Sequence, residues 1–548
     1  MKIESKLNKI YAGAIAIMMI TIVFSSVFAV RTITDSSDSI YTSIVTSAGG
    51  VYPATFSNLI TVCAIPNIKI QLPSCNISIT DTFPISSGIT LSGCGNSTIF
   101  YFATGTNKDM ITINSKDVII ENIKMQFNGA GQTSTTNLSI IRLGTCNNIL
   151  IQRCSFWNGH GNLIEDTFNK VSKNVTIVDC DFHGREARYW GGAIHTWNKD
   201  WIIKNNFIEN TYACGIVIES GTTYPTAGTT IIDGNRITGN IGTGIYMEHL
   251  GGQTYSKGGK CVIVNNIITH LTGIAYGATT AIGILLSENS TCSNNIISYI
   301  DHIGISVNGN NSIISNNIIT KITGISSYGI LLSGTGTLKT VTIDGNSITT
   351  VNGIGIYGGA SWTHSVITDN KIRNCTSIGI RSFVSESIIS NNFLYNVSAG
   401  ITTDSTSYNS ITGNHIENLK NTDGIKVYLV SNSTIIGNVI NSIITYDGIE
   451  IADSKNITVA SNIIRAANGV RETGISNYNL IVDNNVMSCT AKITRTGAKS
   501  IISSNLGFFT FQYPTTVPTD LVAGSCYVNT TTGDIAVYSG AAWIWTHG

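Results

Sequence analysis

Charge is scarce in this sequence. Only 12% of its 548 residues are Asp, Glu, Lys or Arg, and 32 basic side chains balance 32 acidic ones, where a typical soluble domain carries about 25% charged residues. There is no basic cluster, which removes the electrostatic footprint that nucleic-acid binding needs. Methionine is rare, at 7, and dispersed, which argues against copper handling. The 12 cysteines contain no CxxC pair and no metal-ligand spacing. Proline is also rare, at 7, and the chain is dominated by Ile, Thr, Ser, Asn and 54 Gly. Ile and Thr are β-branched and favour strands, whereas Asn and Gly supply turns. That balance excludes a helical protein, a coiled coil and a disordered chain.

Long apolar runs are missing except at the start. Lys2, Lys6 and Lys9 precede an apolar run from Ile10 to Phe24, and small residues then lead to Val27-Phe28-Ala29. Residues 1–30 therefore read as a secretory signal cut after Ala29. The alternative is an uncleaved membrane anchor, because the run nearly reaches the roughly 20 residues that span a bilayer. Either way, the rest of the chain is expected to be secreted or on the cell surface.

Self-similarity is the strongest feature present. Segments such as WIIKNNFI, TIIDGNRI, SIISNNII, VTIDGNSI and STIIGNVI share a β-branched run, one or two turn formers ending in Asn, and an apolar residue two places on. These Asn residues run from Asn206 to Asn505 at spacings of 21 to 31 residues. A second phrase, Gly-Ile-x-apolar, interleaves with the first at Gly215, Gly244, Gly283, Gly329, Gly424 and Gly448. Antiparallel hairpins would not repeat one residue at one phase in this way. A solenoid does, because equivalent residues stack on neighbouring coils about 4.8 Å apart. Asn at the bend then forms an amide ladder, and Asn tolerates the left-handed backbone of a sharp turn. Cys154 and Cys180 fall in ladder phase and are expected to stack in the core, with Ile123 near the same phase.

The expected fold is all-β: a right-handed, single-stranded parallel β-helix of about sixteen coils, close to 75 Å long at the strand spacing. Residues 31–105 form an N-terminal cap and lead-in, 106–510 the helix, 511–520 a linker with two of the prolines, and 521–548 a small C-terminal β-hairpin module. The coil phrases NNII, DGNSI and GIYM, with the stretch IQLPSCNISITDTFPISSGITLSGCG at 70–95, resemble the pectin-lyase-like β-helix superfamily. That resemblance implies the fold. It leaves activity open among polysaccharide lyases, glycosidases, epimerases, tailspikes and adhesins, and the polygalacturonase and alginate-epimerase signatures are absent. Gly524, Tyr527, Asn529, Thr530, Gly533, Tyr538, Gly540 and Trp543 resemble a short module found at the ends of phage tail fibres and surface proteins.

Chemistry-bearing residues concentrate between 157 and 250. Four of the 7 Trp lie between Trp157 and Trp201. Aligning AIHTW (193–197) with GIVIE (215–219) and GIYME (244–248) stacks Trp197, Glu219 and Glu248 on successive coils, with His249 beside the last. Asp179 and Asp181 flank Cys180 and should point outward by strand alternation. The following loop carries His183, Arg185, Arg188 and Trp190 over the same coils. The expectation is one groove, with Asp179, Asp181, His195, Glu219 and Glu248 as the catalytic set. His183, Arg185, Arg188, Trp190, Trp197 and His249 would hold a polysaccharide. Stacked Glu219 and Glu248 suit a glycosidase, which needs carboxylates about 5–9.5 Å apart. A lyase would use His195 or Arg188 with a cation, Ca2+ being the candidate, held by Asp179 and Asp181. The alternative is a non-catalytic adhesin or tailspike-like rod, for which a homotrimer is expected. In a purely structural rod these residues would be solvated surface.

Overall fold

The computed structural model describes residues 59–60 and 63–507 except 73, 103–106, 128–137, 160, 169, 186–191, 198–199, 212, 221–227, 240, 250–259, 274–279, 335–337, 360–361, 443–445 and 498, together with the backbone of three strands between 526 and 546. The N-terminal segment 1–30 and the linker 511–520 lie outside the described residues. Among those described, no helix is long and apolar enough to cross a membrane.

The chain winds through three parallel walls. One coil shows the pattern. Trp201–Lys204 lies in sheet B, Phe207–Glu209 in sheet C and Cys214–Ser220 in sheet A, and each pairs only with its equivalents one coil earlier and later. Parallel stacking is already present at Lys69–Gln71, which pairs with Thr90–Ser92. The first parallel pairings therefore lie within residues 31–105, the stretch read as the cap and entry to the helix. At the other end, Cys526–Val528, Ile535–Tyr538 and Trp543–Thr546 form an antiparallel three-stranded sheet, one strand more than a hairpin.

Sequence dictates the corner between sheets B and C. From Asn206 to Asn505 the buried Asn side chains form a continuous ladder. Asn317 shows the unit: its Nδ2 donates to Asn346 Oδ1 at 2.9 Å and to the Cys292 carbonyl at 2.9 Å. Its Oδ1 accepts from the backbone N–H of Asn295 at 3.0 Å. The ladder runs on into Cys180, whose N–H donates to Asn206 Oδ1 at 3.0 Å, and Cys154, whose N–H faces Cys180 Sγ at 3.5 Å. The left-handed backbone falls on the residue before the ladder Asn rather than on the Asn itself: Asn205, Asn294 and Asn316 have φ of 53°, 57° and 56°. That explains the doublets NN, DN and GN in the repeats.

A second constraint fixes where sheet A begins. A Cβ on Gly304 would lie 2.5 Å from the Gly329 carbonyl and 2.7 Å from Ile319 Cγ2, and Gly244, Gly283 and Gly329 are equally confined. The Gly of each Gly-Ile phrase is thus required by the approach of the next coil. The adjoining Ile residues fill the interior, with Ile216, Ile245, Ile284, Ile305 and Ile330 fully buried. Each such side chain contributes roughly 1.5–3 kcal/mol by leaving water.

Candidate functional site

On the outer surface of sheet A, one column of side chains rises through successive coils. Arg142 pairs in register with Glu165, Glu165 with His195, and His195 with Val217. Two residues further along their strands, Glu219 is the Cα partner of Glu248. Thr196 is the partner of Ile218, so Trp197 stands next to Glu219. Of the expected stack, Glu219 and Glu248 are in register, and Trp197 directly follows the last paired residue of its strand. The side chains of Glu248, His249 and Arg185 lie outside the described set, as do Arg188 and Trp190 entirely.

His195 is buried between two carboxylates. Its Nε2 lies 3.4 Å from Glu219 Oε1 and its Nδ1 lies 3.6 Å from Glu165 Oε1. Asn162 Nδ2 lies 3.0 Å from Nδ1, and Asn162 is itself held by the Gly192 N–H, which donates to its Oδ1 at 2.6 Å. Burial pushes the imidazole pKa down, but the Glu219 contact and the charges of Glu165, Glu219 and Asp166 outweigh it and raise it above the usual value. Glu165 is anchored from below by Ser139 Oγ at 3.0 Å and by Arg142, which also pairs with Asp109 at 2.7 Å. Fully buried Asp166 accepts from Ser172, from Thr196 and from the Trp197 N–H at 2.7 Å, which pins the Trp197 backbone.

Three buried polar atoms of this patch have no hydrogen-bond partner among the described residues: His195 Nε2, Glu219 Oε2 and Trp197 Nε1. The His195 Nε2–Glu219 distance is that of an ion pair without hydrogen-bond alignment. Buried polar groups are satisfied in the great majority of cases. Three such orphaned atoms thus cluster in one patch.

The single groove expected from the sequence divides in two. Asp179 and Asp181 are exposed and outward, but Asp179 occupies the left-handed corner and Asp181 pairs with Phe207 in sheet C. His183 is on the same strand. It binds Glu209 at 2.7 Å and stacks on Trp157 at 4.1 Å. The ladder corner after Cys180 turns the chain onto another wall, so these residues do not join His195 and Glu219. A Ca2+ held by Asp179 and Asp181 would accordingly lie away from that site.

Sequence reading missed two sets of residues. Arg142 lies before the enriched window and Asn162 between the strands Ser155–Gly159 and Ile164–Asp166; Glu165 falls inside the window but outside the expected catalytic set, and aligning LIED (163–166) with AIHT (193–196) would have set it beside His195. The other set is Asp423, Asp447 and Glu450, buried on sheet A, whose carboxylate oxygens lie within 4.8 Å of one another. Its signal is the repeated phrase Asp-Gly-Ile at Asp423 and Asp447. Lys426 lies 2.6 Å from Glu450, and Arg471 bridges Glu450 and Asp447. Two cations thus already occupy the place a metal ion would take.

Comparison with known proteins gives the fold a family. No curated protein matches the sequence. Among solved structures, pre-mature bacteriophage phi29 gene product 12 is 12% identical, with a TM-score of 0.46 over 82% of this chain and 70% of that one. A tailspike mutant of E. coli bacteriophage HK620 in complex with a hexasaccharide is 11% identical, with a TM-score of 0.36 over 82% and 76%. A PL6 alginate lyase in complex with a trisaccharide is 12% identical, with a TM-score of 0.36 over 90% and 88%. The family model described as the right handed beta helix region matches residues 192–364 and 352–507, more than half of the chain. With parallel coils, an Asn ladder and that match, the chain belongs to the right-handed β-helix family.

Proposed function

We propose that this protein binds an extracellular polysaccharide on sheet A and hydrolyses it there, with Glu219 and Glu248 as the carboxylate pair. The observation that carries this reading is the trio of orphaned buried atoms on His195, Trp197 and Glu219. A sugar supplies the hydroxyl donors and acceptors they lack, and the Trp197 ring supplies an apolar face. Glu219 and Glu248 stand on neighbouring coils, about 4.8 Å apart along the backbone, which suits the spacing of glycosidase carboxylates. At that spacing one carboxylate attacks the anomeric carbon while the other gives a proton to the leaving oxygen as the glycosidic C–O bond breaks, and the second then takes a proton from the water that releases the sugar from the glycosyl-enzyme. His195, with its imidazolium form favoured by three carboxylates, provides a counter-charge beside Glu219. Export through the N-terminal segment would place this chemistry outside the cytoplasm.

The test is incubation of the full-length protein with a panel of neutral and acidic polysaccharides, following new reducing ends and unsaturated products together. The reading predicts reducing ends without unsaturation, reduced by about 10²-fold or more in Glu219→Gln and in Glu248→Gln. Unsaturated ends would replace hydrolysis by elimination. Binding without product would leave a non-catalytic adhesin, and neither binding nor product would contradict the reading outright.

A further inference from the structure

The outward column that contains Glu165 and His195 continues along the rod. Beyond His195 it passes through Val217, Tyr246, Leu285, Ser306, Leu331 and Tyr357 before reaching Arg381. Thr402, Lys426, Glu450 and Arg471 follow. The column is therefore charged at both ends and uncharged over six successive coils. At 4.8 Å per step the uncharged part spans about 24 Å. Beside its first two coils stand Glu219 and Glu248, two residues further along the strands of Val217 and Tyr246, and Asp301 and His302 lie at the start of the Ser306 strand.

The surface of this stretch is mixed in a particular way. Tyr328, beside the column, meets Tyr357 edge-on at 5.4 Å, and Tyr357 leans on Phe383 at 5.8 Å. Small polar groups lie between the rings: Ser306 Oγ and Ser333 Oγ are 3.0 Å apart, and Ser333 also bonds to Asn308. All three rings are half-buried, and none of the large side chains on the track is among the exposed hydrophobics. A second protein chain buries apolar side chains that stand exposed before binding, and none of the large side chains of this track is exposed. A sugar ring has apolar C–H faces and hydroxyl edges, so flat aromatic edges alternating with hydroxyls and an amide match it. Among the described residues the column offers no cation before Arg381, and Glu219 and Glu248 flank its first coils, so an acidic polymer would lose water with no countercharge to meet it.

We propose that the sheet-A track from Tyr246 to Tyr357 carries the continuing chain of an uncharged polysaccharide whose end reaches the His195–Glu219 site. This rests on the polysaccharide reading of that site and adds the charge class and the path of the ligand.

The experiment is affinity measurement on the full-length protein with neutral glucan, mannan and xylan against alginate and polygalacturonate, each as long chains and as short oligosaccharides. Neutral long chains should bind tightest. The Tyr328→Ala, Tyr357→Ala pair should lose about tenfold or more of that affinity, while the Phe pair retains it and short-oligosaccharide binding stays as in the wild type. If the Ala pair does not fold, the Leu pair at the same positions preserves apolar volume without rings and makes the same prediction. Unchanged long-chain affinity in the folded variant overturns the proposal. So does a wild-type oligomer that the variant converts to monomers, which would assign the track to a second copy. Acidic chains bound and cut while neutral ones are ignored would overturn this inference and leave the site reading standing. No affinity for either kind would sink both.

Discussion

An asparagine amide offers one acceptor oxygen and two donor hydrogens, and the corner ladder uses all of them. Asn317 accepts from Asn295 and donates to Asn346 and to the Cys292 carbonyl, wholly out of water. Replacing it with Ala removes these bonds and strands the Asn295 N–H and the Cys292 carbonyl in the core. Each stranded group costs about 1–3 kcal/mol, so Asn317→Ala should destabilise by about 3 kcal/mol, read as a lower urea midpoint. An effect no larger than that of an exposed corner change such as Asn311→Ala would show that the ladder does not hold the coils. At Cys154 and Cys180 thiols stand in the ladder, where Cys180 Sγ bonds the Val178 carbonyl at 3.3 Å. Burial raises the Cys180 thiol, as expected of a core group that does not ionise.

At the scale of the element, the repeated strand of sheet A decides what each coil can do. The phrase Asp-Gly-Ile places Asp423 and Asp447 one above the other, with Glu450 on the strand of Asp447. Lys426 and Arg471 neutralise Glu450, and Arg471 with Asn468 holds Asp447. Asp423 receives the Asp447 N–H at 3.1 Å but faces no cation among the described residues. Burial, then the contact with Glu450 and the charge of Asp447, push its carboxyl up to about 7. Since the folded value lies above the unfolded one, the protonated group favours folding fully below about pH 3.9. That contribution fades as pH rises through 7. The wild-type melting temperature should therefore fall between pH 5 and pH 8 by more than that of Asp423→Asn, which should be the more stable protein at pH 8. Parallel pH profiles would contradict the assignment.

The same elements show what the sequence makes legible. Repeat phase reports whether a side chain points in or out and which residues stack, so the Asn corner, the glycine column and the Trp197–Glu219–Glu248 alignment could all be read. Phase does not report on which of three walls a strand lies. Asp179 and Asp181 were correctly turned outward, yet Asp179 stands at the corner and Asp181 beyond it on sheet C, where His183, expected in a loop, shares its strand. Glu165 lay in the enriched window, but without a Gly-Ile phrase on its strand its place beside His195 could not be read, and Asn162 and Arg142 matter only through the contacts that winding creates. The Asp423 group was visible as a repeated dipeptide, but the surrounding Ile, Ser and Thr made those coils look chemically empty.

For the whole molecule, a solenoid turns one-dimensional order into a line of sites, because each coil contacts only its neighbours at a fixed step. Sheet A thus presents a buried acid–histidine patch, an uncharged aromatic track and a neutralised carboxylate cluster along one wall. The central claim is that a sugar chain lies on this wall with its reacting bond at the patch. The most direct test is a crystal structure of Glu219→Gln with an oligosaccharide of the bound class. The account predicts sugar atoms within hydrogen-bonding distance of His195 Nε2 and Trp197 Nε1, with further rings leading toward Tyr246. A ligand seated on sheet B or C, with His195 and Trp197 untouched, would contradict it.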